Sequence, residues 1–79
     1  MYAFIHGQVE EKYADSIVVN VNGIGYHIYT TMATLDKVKK LGETMRFYTY
    51  LYIREDTVSL FGFASREEKA MFEKLITVS

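Results

Sequence analysis

Ten consecutive residues, Thr44 to Ile53, alternate in character with a period of two. Met45, Phe47, Thr49, Leu51 and Ile53 make one set; Arg46, Tyr48, Tyr50 and Tyr52 make the other. A helix would scatter both sets around its axis, whereas a strand places them on opposite faces. The charged run Arg54-Glu55-Asp56-Thr57 interrupts this strand, and Val58-Ser59-Leu60-Phe61-Gly62-Phe63 provides the next. Two long strands joined by a short charged turn predict a protruding hairpin.

The remaining segments are short and also β-like. Ala3 to Glu11 sets Ile5, Gly7 and Val9 against Phe4, His6 and Gln8. Ser16 to Val21 puts Ile17, Val19 and Val21 on one face, and Asn22-Gly23 supplies the positive-φ pair that a tight hairpin requires. Tyr26 to Thr30 is the third strand. Met32 to Gly42 reads as a short helix capped by Thr34 and ended by Gly42, with Leu35, Val38 and Leu41 on one face. A second helix begins at Ser65-Arg66-Glu67-Glu68, which has the Ser-x-x-Glu form of a capping box. It carries an apolar stripe of Met71, Phe72, Leu75 and Ile76, suited to bury against a following domain. The expected fold is mainly β: a five-stranded OB-fold-like barrel over residues 1–64, with one short internal helix and a C-terminal helix at 65–79.

With 79 residues the chain is at most one domain and buries only about 60% of its unfolded surface. An oligomer or a flanking domain is therefore expected to support it. Seven Tyr and five Phe suit a β-rich core. The absence of Cys removes disulfides and thiolate metal sites and fits a cytoplasmic protein. No apolar run approaches the ~20 residues needed to cross a bilayer. Nine Lys and Arg face ten Asp and Glu, a net charge of −1. Nucleic-acid binders usually show a basic excess, because neutralising phosphates supplies most of their affinity. Composition alone thus argues against a strong DNA grip by this segment.

Residue by residue, the chemistry is sparse. Glu55 and Asp56 read as a solvated turn, since His6 and His27 lie far back in the chain and nothing nearby completes a metal site or an acid/base pair. The two histidines themselves read as surface or interface residues. Gly23-Ile24-Gly25 lacks the third glycine and the following helix of a dinucleotide loop, so it is a turn. Lys37, Lys39 and Lys40 form a small basic cluster on a solvated helix face. The stripe Arg46, Tyr48, Tyr50 and Tyr52 has two readings. Arginine interleaved with aromatics on an OB strand is how single-strand binders stack bases; alternatively the rings pack on a helix, a neighbouring subunit or another domain. Near-neutral charge favours packing. No nucleophile, metal set or nucleotide loop supports catalysis, and no cofactor is called for.

The run from Tyr48-Thr49-Tyr50 through Arg54-Glu55-Asp56 to Leu60-Phe61-Gly62-Phe63 resembles the most recognisable stretch of the RuvA amino-terminal domain family. Ile5-His6-Gly7 and Val21-Asn22-Gly23-Ile24-Gly25-Tyr26 are similar to its opening strand and glycine hairpin. Glu68, Phe72 and Leu75-Ile76-Thr77-Val78-Ser79 resemble its connecting helix. The resemblance implies an architectural subunit of the Holliday junction branch-migration complex, acting in recombination and repair as a homotetramer on four-way junction DNA. It implies a RuvB-type ATPase motor and a RuvC-type resolvase as partners in the complex. A helix-hairpin-helix domain that grips DNA would follow this segment in family members. Under this resemblance Glu55 and Asp56 become an acidic pin at the junction crossover, with Arg54 as its support or as a phosphate contact.

Overall fold

The computed structural model describes residues 2–77. Five strands close a barrel in the order β1-β2-β3-β5-β4: β1 (Phe4–Lys12), β2 (Ser16–Val21), β3 (Ile24–Tyr29), β4 (Thr44–Ile53) and β5 (Val58–Phe63). All neighbours are antiparallel except β3 and β5, which run parallel. Helix α1 (Met32–Lys37) connects β3 to β4, and α2 (Arg66–Thr77) follows β5. This is the expected OB-fold-like architecture. Strands β2, β4 and β5 keep the bounds that alternation predicts. Strand β3 starts earlier, because the turn is only Asn22 and Gly23, both at positive φ (53° and 89°), and Val21 already pairs with Ile24.

The inward set of each strand builds one core. Ile5 and Val9 of β1, Ile17 and Val19 of β2, Ile28 of β3, Phe47 of β4 and Leu60 of β5 are buried together, with Leu35 and Val38 closing one end. Thr49, also buried in the inward row, donates its hydroxyl to the Tyr2 carbonyl at 2.8 Å. Burying such a hydroxyl without a partner would be costly.

The α1 region departs from the sequence reading. The cap is Thr31, whose side chain accepts from the Thr34 amide at 3.3 Å, and the helix stops at Lys37. Thr34 is inside the helix and fully buried, while Leu41 is 57% exposed and outside the core. The cause is long-range. Strand β1 bulges between Val9 and Glu11, and the chain at Gly42 and Glu43 is drawn out to meet it: the Gly42 amide donates to the Val9 carbonyl and the Val9 amide to the Glu43 carbonyl. Lys12 Nζ donates to the Val38 carbonyl and consolidates the end of the helix.

Half of the predicted capping box forms on α2: the Glu68 amide donates to Ser65 Oγ at 3.2 Å. The Glu68 carboxylate turns instead to α1, accepting from Thr31 Oγ1 at 2.6 Å and Thr34 Oγ1 at 2.5 Å, while Thr34 Oγ1 accepts from the Ala64 amide. One carboxylate thereby ties both helices to the end of β5. Glu68→Ala leaves two hydroxyls, one of them buried, without their acceptor, at an expected cost of about 1–3 kcal/mol. Thermal unfolding followed by circular dichroism reads this. A loss of less than about 2 °C would show that the latch is energetically idle.

Candidate nucleic-acid interface

Strand β1 pairs with β4 from Gln8↔Thr44 to Phe4↔Tyr48, the Thr49 amide adds a last bond to the Ala3 carbonyl, and beyond Thr49 β4 pairs with β5 alone. The hairpin thus projects past the barrel, and its inward row runs out of core. Phe47 is fully buried, Leu51 is partly covered, and the terminal pair Ile53↔Val58 is 62% and 66% exposed. At the tip, the Arg54 amide donates to the Thr57 carbonyl at 2.7 Å, closing a tight turn.

That turn presents Glu55 and Asp56 to solvent. Thr57 Oγ1 donates to Asp56 Oδ1 at 3.2 Å. Arg54 leans back over the Tyr52 ring, 5.5 Å from its centroid, rather than pairing with either carboxylate. The tip therefore shows two anionic groups whose adjacent cation is held along the strand. Among the described residues no group of three His, Asp or Glu side chains is arranged to hold a metal.

The three tyrosines of the outward row of β4 are half-buried and engaged inside the fold, while Arg46 is exposed. Tyr50 meets the ring of Phe72 on α2 edge-on at 6.0 Å, and Tyr52 meets Phe61 edge-on at 6.1 Å. The Arg66 guanidinium lies 5.2 Å from the Tyr48 centroid, and that of Arg46 lies 4.4 Å from the centroid of Phe4 on β1. Phe72 docks α2 by also stacking near Phe61 and Phe63, at 4.9 and 5.0 Å. Of the α2 stripe, Phe72 alone is turned to the barrel this way; Met71, Leu75 and Ile76 stay exposed.

A separate cluster lies at the β1–β2 loop, where sequence reading saw only an isolated histidine. His27 Nε2 and Ser16 Oγ are 2.9 Å apart, and the His27 ring sits 4.8 Å from Tyr29 and 6.3 Å from Tyr13. Tyr13 in turn donates its phenol to the Glu11 carboxylate, and this bond, with the nearby negative charge, holds the Tyr13 hydroxyl above the usual tyrosine range. The Ser16↔Tyr29 register brings these residues together; only the strand pairing reveals the cluster. His6 lies apart from it, opposite Arg46 on the β1–β4 pair.

A closed five-stranded barrel with a projecting acidic hairpin and a docked C-terminal helix defines an OB-type module. Its sequence matches the family described as RuvA N terminal domain over residues 1–62. The Holliday junction branch migration complex subunit RuvA of Acetivibrio thermocellus is 46% identical over 79 residues, covering 100% of this chain and 39% of that protein. The subunit of the same name from Ruminiclostridium cellulolyticum is 49% identical over the same span, 40% of its length. The chain belongs to the RuvA N-terminal domain family. It spans about two fifths of the length of these relatives. Among the described residues no helix is long and apolar enough to cross a membrane.

Proposed function

We propose that this chain is the non-catalytic, architectural part of a subunit that holds four-way junction DNA during branch migration, residues 1–64 forming the barrel and 65–79 the link to a DNA-gripping domain. The observation that carries this reading is the projecting tip, with Glu55 and Asp56 exposed and Arg54 drawn away from them. The names of the relatives support it, each being a Holliday junction branch migration complex subunit.

The tip acts by repulsion. Four copies in a homotetramer, each with two carboxylates, would gather about eight negative charges within reach of the crossover phosphates, since fields extend roughly 10 Å at 0.1 M salt. The strands at the crossover are thereby held apart and re-pair around the tip without any bond being broken. Force comes from a RuvB-type ATPase and cleavage from a RuvC-type resolvase, both acting in the wider complex in the cytoplasm. The Tyr stripe is read as packing rather than base stacking, because Tyr48, Tyr50 and Tyr52 already have partners within the chain.

The test compares this chain with a version extended by the next domain of a relative, on four-way, duplex and single-stranded DNA. This chain is expected to bind weakly and the extended form tightly, with preference for the junction. A preference of this chain for single strands would replace the reading with a stand-alone single-strand binder. No DNA binding by either form would leave a purely structural oligomerisation domain.

A further inference from the structure

Arg46 and Arg66 are each laid on an aromatic ring, not on a carboxylate. Phe4, beneath Arg46, and Tyr48, beneath Arg66, are directly opposed across the β1–β4 pair. The surface therefore reads Arg46, Phe4, Tyr48, Arg66: two planar cations at the two ends of a pair of rings. Lys69, three residues along α2 from Arg66, lines the same cleft between α2 and β1. Glu67 and Glu73 border the surface, and Glu73 is already engaged. In the cleft that Arg66 and Lys69 share, two cations meet one carboxylate, Glu73, in a chain whose net charge is −1.

Stacking uses the flat face of a guanidinium and leaves its edge, with the N–H donors, pointing outward. A ring beneath it fixes the direction of that edge in advance, so less conformational freedom is lost when an oxyanion binds. Cations already occupy a face of Phe4 and of Tyr48, so the pair is built to display charge rather than to receive a base. A planar fork of this kind matches a phosphate.

We infer that Arg46, Arg66 and Lys69 form a phosphate-binding ladder for the backbone of a duplex arm, separate from the acidic tip. Arg46 lies eight residues from Arg54 along one extended strand, about 27 Å at the usual rise. The tip repels phosphates at the crossover while the ladder attracts phosphates one arm outward. This inference rests on the junction-binding reading and adds a contact to it.

The experiment measures binding of a four-way junction and of a plain duplex across 20–200 mM salt (roughly the range in which counterion release is read), using the chain extended by the next domain of a relative, as wild type and as the Arg46→Gln/Arg66→Gln double variant. At about 100 mM salt, binding to both DNAs should weaken by the same factor, about three- to tenfold, and the loss should grow toward 20 mM and shrink toward 200 mM. The slope of log K against log salt should become shallower by about 0.9 per arginine. Arg46→Lys, which keeps charge but not the stacked fork, and Phe4→Leu, which removes the platform, should each reproduce part of the loss. An unchanged slope in the double variant would overturn the ladder, as would full retention of affinity in Arg46→Lys and Phe4→Leu together. Absence of junction preference in the extended wild type, with the slope effect intact, would instead overturn the junction reading and leave the ladder standing as a general DNA contact.

Discussion

Phe47→Ala is expected to cost about 3–5 kcal/mol, the usual loss for truncating a buried phenylalanine. For a chain of this length total stability is roughly 4–12 kcal/mol, so the variant should be marginal or unfolded at 37 °C. Phe47 is fully buried at the centre of the inward row, opposite Ile5 on β1 and beside Gly62 on β5. A methyl group at Gly62 would lie 2.6 Å from Ile28 Cγ2 and 3.4 Å from Phe47 Cβ, so the site is packed from both sides and has little room to collapse. Gly62→Ala should therefore also destabilise, by about 1–3 kcal/mol, through crowding rather than a void. Each kcal/mol moves the melting temperature of a domain this size by about 4–8 °C. Thermal melts of the two variants give the check: a shift below about 5 °C for Phe47→Ala would mean the core closes over the gap and Phe47 is not its keystone.

The same inward row explains what was legible in the sequence. Strict alternation fixed β4 and β5 end to end, because a one-residue slip would expose Phe47 and bury Arg46. Asn22-Gly23 located the first hairpin for an equally local reason, the need for two positive-φ residues. The errors arose where distant strands decide. Thr34 resembles a cap in isolation, yet it is enclosed by Glu68 and Ala64, 34 and 30 residues away. Leu41 falls on the apolar face of an ideal helix that the β1 bulge cuts short. Alternation likewise showed that Arg46, Tyr48, Tyr50 and Tyr52 share a face, but not what covers it. The covering residues are Phe4, Phe61, Arg66 and Phe72, which only the barrel closure and the docking of α2 bring there. The tip was legible as an exposed turn; its proposed role rests on family membership and on the projection of the hairpin beyond β1.

Neutralising that tip, Glu55→Gln with Asp56→Asn, should strengthen DNA association of a family-length chain carrying this domain while reducing its preference for junctions. Both side chains are exposed, and Asp56 only accepts the exposed hydrogen bond from Thr57 Oγ1, so stability should change by no more than about 0.5 kcal/mol. Two like charges ~7 Å apart in water repel by about 0.6 kcal/mol before screening, equivalent to roughly a threefold change in affinity. Removing two charges per domain therefore predicts about a three- to tenfold gain on duplex DNA at low salt. The sign is opposite to that of the Arg46/Arg66 variant, which loses affinity, and both effects shrink as salt rises because the Debye length falls to about 3 Å at 1 M. Comparing the two variants at 50 mM and 1 M salt separates electrostatic repulsion at the tip from any altered shape, which salt would not erase. An unchanged duplex affinity together with unchanged junction preference would reduce the tip to a simple turn; a gain that persists undiminished at 1 M salt would show that the hairpin acts by its shape and not by its charge.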